Sequence, residues 1–97
     1  MRIVAVTACP TGVAHTYMAA EQLEKTARKL GHTIKVETQG AMGIENELSQ
    51  AEIDAADVAI FAADIAVERP ERFARIRTIE VPVQAVLRHP ASVFTKI

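Results

Sequence analysis

Residues 7–16, Thr-Ala-Cys-Pro-Thr-Gly-Val-Ala-His-Thr, carry the only cysteine of the 97-residue chain, and five residues separate it from His15. A thiol becomes a nucleophile when its thiolate is favoured, by a helix N-terminus, a nearby cation or hydrogen-bond donors. Cys9 ends an apolar run and a helical pattern begins at Val13, so it stands in a strand-to-helix loop. Unpaired backbone N–H groups and the positive end of the helix dipole make such a loop an anion site. Thr11, Gly12, Val13, Ala14, His15 and Thr16 are the candidate phosphate-binding loop. Thr11 and Thr16 offer hydroxyl donors, Gly12 removes a side chain where the backbone must curl, and protonated His15 supplies a cation. Pro10 fixes one dihedral and withdraws one donor. The residues leave a second reading open, in which Cys9 is a buried, inert small hydrophobe.

The elements that must position this loop follow from periodicity. Residues 2–8 are almost continuously apolar and β-branched, as in a strand covered on both faces. Val13, Tyr17, Ala20, Leu23, Ala27 and Leu30 form a helical stripe, closed by basic Arg28 and Lys29 and by Gly31. Residues 33–38 alternate, predicting a strand with one dry face, and 39–43 read as a glycine-punctuated loop. Ser49 with Glu52 makes a capping box for a short helix. Residues 58–63 are again continuously apolar. Pro70 opens a short helix through Phe73, residues 78–81 alternate, 83–89 form a helix broken by Pro90, and a last turn or two follows.

Strands alternating with helices predict a single α/β domain over residues 1–97. It is a three-layer sandwich: a four-stranded parallel sheet, order 2-1-3-4, with helices on both faces. The first and third strands are dry on both sides and belong in the middle; the second and fourth belong at the edges. Winding then reverses between the first and third strands, and ligands bind at such a switch point, beyond the carboxyl ends. Cys9 falls there.

Charge and composition exclude several classes. Eleven Lys plus Arg nearly balance twelve Asp plus Glu, so no electrostatic footprint of a nucleic-acid binder is present. No run approaches the length of a membrane span, so no direct membrane insertion is expected, and one cysteine suits a cytoplasmic protein. His32 and His89 have no second ligand at metal spacing, and neither metal nor cofactor is called for. Met18 and Met42 read as packing residues. Asp64 either faces the crevice or caps a helix. Arg69, Arg72, Arg75 and Arg77, countered by Glu68, Glu71 and Glu80, read as a solvated face.

Cys9 through Ala20, followed by Val36-Glu37-Thr38-Gln39-Gly40 and then Ala63-Asp64, resembles the IIB component of the bacterial sugar phosphotransferase system, fructose type. The likeness runs from the first strand to the Pro90 region and implies the same four-stranded parallel sheet. It further implies that Cys9 accepts a phosphoryl group from a IIA phosphohistidine and passes it to a fructose-like sugar bound by a membrane IIC component. Ala41 departs from the pattern, since many members carry Ser there, and no site role is assigned to it. The loop also resembles that of low-molecular-weight tyrosine phosphatases, with His15 where those enzymes place arginine. Without that bidentate clamp hydrolysis should weaken while loop amides still hold phosphate, which suits a carrier. A cysteine phosphatase and a non-catalytic Rossmann-like binding module are the alternatives; the latter lacks any G-x-G-x-x-G after the first strand.

Overall fold

The computed structural model describes residues 1–9 and 13–97, the Val13 side chain excepted. Parallel strands β1 (Arg2–Ala8), β2 (Thr33–Gly40), β4 (Val58–Ala63) and β5 (Thr78–Val81) carry out the expected order, β2-β1-β4-β5. A fifth strand, β3 (Gly43–Glu45), is added antiparallel outside β2, with Gly40 opposite Gly43. The sheet is therefore five-stranded, not four, and β2 is no edge at its carboxyl end. The two-residue reversal at Ala41–Met42 runs into Gly43 at φ +88°, a conformation that costs glycine little. Three residues were too few for alternation to reveal this strand.

The period-2 pleat sorts the side chains into two cores. Ile3, Ala5, Val36, Ile60 and Val81 meet Ala19, Leu23 and Ala27 of α1 (Val13–Lys29), with Val83 and Val86 of α3 (Val83–Arg88) and Phe94 of α4 (Pro90–Phe94). Val4, Val6 and Phe61 meet Ile53 of α2 (Gln50–Asp54) and Phe73 of a 3-10 turn (Pro70–Phe73) on the other face. Helices thus cover both faces as expected. Phe61 and Phe73 pack edge to face at 4.8 Å.

Helix α1 buries Ala20, Leu23 and Ala27 of the expected stripe, but its dry face is rotated toward Thr16 and Ala19. Thr16, Ala19, Ala20, Leu23 and Ala27 are buried, whereas Tyr17 and Leu30 are exposed. Alanines allow α1 to lie close on the sheet, and the phenol of Tyr17 reaches outward to Glu45 of β3. The end of α1 is a Schellman motif: His32 N–H donates to Ala27 C=O at 2.8 Å and Gly31 N–H to Arg28 C=O at 3.1 Å, with Gly31 at φ +82°. The Ser49–Glu52 capping box is present.

The largest departure is on β2. Its carboxyl half is buried on both sides, and Glu37 is 0% exposed. Lys35, Glu37 and Gln39 share the face expected to be wet, and each secures a different segment. Lys35 pairs with Glu52 at 2.8 Å. Glu37 pairs with Arg72, so Arg72 belongs to no solvated face. Gln39 takes the backbone N–H of Glu68 at 2.8 Å.

Candidate functional site

The parallel register places Ala8 of β1 level with Gln39 of β2 and Ala63 of β4. Cys9 is therefore the first residue beyond the carboxyl edge of the sheet, at the switch point and ahead of α1. Thr7 steadies that junction, its hydroxyl donating to the Thr16 carbonyl in α1 at 3.1 Å. Cys9 is 6% exposed and belongs to the α1-side core, yet it lines an open hollow of about 260 Å³. Gln39, Gly40 and Ala41 form one wall of this hollow, and Ile65, Ala66 and Glu68 the facing one. A group entering it reaches a thiol otherwise covered by protein.

The expected loop residues divide. Thr11 and Gly12 lie outside the described residues, and Val13 opens α1. Ala14 and His15 are exposed on the first turn of α1 and are not among the described residues lining the hollow. Thr16 is 1% exposed, and its Oγ1 is the one buried side-chain polar atom without a hydrogen-bond partner among the described residues. That hydroxyl lies against Gly40, where a Cβ would stand 3.7 Å from it. Gly40 in turn lines the Cys9 hollow. An unsatisfied buried hydroxyl at this place calls for a ligand or a water.

Asp64 resolves toward capping: its Oδ1 accepts the Val83 N–H of α3 at 3.2 Å, and its own N–H donates to Ala8 C=O at 3.0 Å. Met42 was expected to pack and is instead 74% exposed at the hairpin tip; Met18 is exposed as well. With exposed Tyr17 and Ile65, Met42 gives the surroundings of the hollow an apolar rim.

Gln39, which lines the hollow, belongs to a polar network centred on Glu37 and Arg72. Both Glu37 oxygens meet the Arg72 guanidinium, at 2.9 and 3.0 Å, and they also accept Leu48 N–H at 2.9 Å and Gln39 Nε2 at 2.7 Å. The remaining Arg72 N–H groups donate to the carbonyls of Arg69, Leu48 and Glu68, so all five are used. Arg72 thus has no donor left for a phosphoryl oxygen. Burial pushes the Glu37 pKa up, but Arg72, the Leu48 N–H and Gln39 outweigh it and hold the carboxyl below its ordinary value. Hydrogen bonding to Glu37 outweighs the opposing burial and raises Arg72 above its own. Sequence reasoning missed this network. Its signal was the i, i+2 pair Glu37 and Gln39 on one strand face, too polar to be buried without a cation.

Cys9 thus stands at the switch point of an open α/β sheet, lining a hollow ahead of the long helix α1. The chain belongs to the PTS IIB family: residues 4–96 match the model described as "PTS system, Lactose/Cellobiose specific IIB subunit". It is 46% identical over 96 residues to the PTS system fructose-like EIIB component 2 of Escherichia coli (strain K12), covering 99% of this chain and 91% of that protein. It is 54% identical over 87 residues to the 2-O-alpha-mannosyl-D-glycerate-specific EIIABC component of the same organism, covering 90% of this chain and 13% of that protein. Among solved structures, a predicted fructose-specific IIB from Escherichia coli superposes with a TM-score of 0.94 at 46% identity, over 99% of this chain and 85% of that one. A domain of a fructose-specific IIABC component from Borrelia burgdorferi gives 0.93 at 44%, over 98% and 90%. The chain is thus a IIB unit of the sugar phosphotransferase system with fructose-like relatives. Among the described residues no helix is long and apolar enough to cross a membrane.

Proposed function

We propose that residues 1–97 act as one phosphoryl-carrier unit in the cytoplasm, with Cys9 as the nucleophile. The Cys9 thiol first loses its proton to solvent. The thiolate then attacks the phosphorus of a IIA phosphohistidine in line: the S–P bond forms, the N–P bond breaks, and its electron pair returns to the imidazole. The reverse logic serves delivery. A hydroxyl of a fructose-like sugar held by a membrane IIC component attacks the phosphocysteine, the O–P bond forms, and the thiolate leaves as the hydroxyl proton passes to a base.

The carrying observation is the place of Cys9, at the carboxyl edge of the sheet before α1 and lining a hollow large enough for a phosphoryl group. Amides of the loop from about Gly12 to Thr16 and the helix N-terminus meet the charge on the moving oxygens, and the Thr16 hydroxyl, without a partner among the described residues, adds a donor. His15 supports the thiolate electrostatically. IIA and IIC take turns at one nucleophile, so the apolar rim of Tyr17, Met42 and Ile65 forms modest, transient interfaces. Protection from iodoacetamide tests the assignment. The resting chain should be alkylated at Cys9 below pH 8, and prior incubation with phosphorylated IIA should block it. Equal alkylation with and without the donor would refute it.

A further inference from the structure

We propose that Gln39 is a positioning residue for phosphoryl transfer at Cys9, because its side-chain amide fixes the facing wall of the hollow to the end of β2. The inference rests on the carrier reading above. Between β4 and the 3-10 turn the chain runs irregularly through Ile65, Ala66 and Glu68, which form that wall without strand pairing. Gln39 supplies the missing pairing. Its Oε1 accepts the Glu68 N–H at 2.8 Å while its Nε2 lies 3.5 Å from the Glu68 carbonyl, so one amide engages both polar groups of one peptide residue.

Gln39 cannot swing away, since it is buried and its Nε2 also donates to Glu37 Oε2 at 2.7 Å. Glu37 is itself clamped by Arg72, whose Nη2 takes the Glu68 carbonyl at 3.1 Å. The charged pair therefore anchors the amide, and the amide sets the distance between the two walls. Gln39 stands one register row from Cys9, level with Ala8, so a shift of the wall changes the space directly over the thiol. Displacements of about 1 Å at such a site can cost two orders of magnitude in rate.

Lys35 provides an internal control. It lies on the same face of β2, but it pairs with Glu52 beside a separate hollow at the other end of the strand. The IIA parts of the Escherichia coli EIIABC relative and of the Borrelia burgdorferi IIABC component, phosphorylated through enzyme I and HPr, serve as donors, and phosphocysteine formation is followed by intact mass. Gln39→Met should lower the maximal rate about ten-fold, with the half-saturating donor concentration within about two-fold of the parent. Lys35→Met should lower Tm comparably and leave both kinetic quantities unchanged. If Gln39→Met does not fold, Gln39→Asn, one methylene shorter, carries the same expectation. Equal maximal rates for the folded Gln39 and Lys35 variants would overturn the positioning role alone. No phosphocysteine on the parent chain with either donor would overturn the carrier reading and this inference with it.

Discussion

At the scale of single residues, the loop separates groups that act on a phosphoryl group from groups that build the fold. His15 stands on the exposed first turn of α1, where an arginine would present a permanent two-pronged clamp. His15→Arg should accelerate hydrolysis of the phosphocysteine, followed as released inorganic phosphate; an unchanged half-life would break the link between that position and carrier behaviour. Thr16 makes the opposite test. Its buried Oγ1 has no partner among the described residues, so Thr16→Val relieves an unsatisfied group and should leave Tm unchanged or raised. Phosphoryl transfer to Cys9 should nonetheless slow several-fold, by about the worth of one lost hydrogen bond. A drop in Tm with full transfer would assign the hydroxyl to structure. The type and spacing of these residues were legible in the sequence. That Thr16, and not Tyr17, turns inward was not, because both positions fit an α-helical stripe and the alanine-lined approach of α1 to the sheet decides between them.

At the scale of elements, punctuation and dryness read well, and paired charge read badly. Gly31 ended α1 as expected, and an added Cβ there meets nothing within 4 Å. Gly31→Ala should therefore cost only the conformational penalty of a left-handed residue, about 1–2 kcal/mol, by denaturant titration. The continuously apolar strands β1 and β4 took the central places because two covered faces leave no room for polar side chains. Strand β2 broke the same logic. Its alternating pattern suggested an edge, yet Glu37 is buried because Arg72, 35 residues away, compensates it. Pairing at that separation leaves no periodic trace. Arg72→Met strands the Glu37 charge and should destabilise the fold by about 3–5 kcal/mol. Replacing both partners with methionine should recover much of that loss, since two apolar groups leave no buried charge. A double variant no more stable than the single one would contradict this account.

At the scale of the whole molecule, acid stability and carrier chemistry meet on one sheet. Lys35 and the Ser49 backbone hold Glu52 down at about 2, and Glu37 also lies below its ordinary 4.5. Below about pH 5 the unfolded chain binds protons that the folded one refuses, so this contribution to stability is full above that pH and falls as pH drops toward 2. Thermal melts should be level from neutral pH to about 5 and then decline; a Tm constant down to pH 2 would remove these carboxylates from the balance. Of these groups Glu37 also holds Gln39, which lines the Cys9 hollow, so one buried carboxylate serves both the integrity of the fold and the geometry of transfer. Intact-mass analysis after incubation with phosphoenolpyruvate, enzyme I, HPr and a IIA protein, with Cys9→Ser alongside, decides whether Cys9 carries the phosphoryl group. One added phosphoryl group that requires both IIA and Cys9 is expected. A phosphoryl group that persists on the Cys9→Ser chain would contradict it and move the carrier site elsewhere.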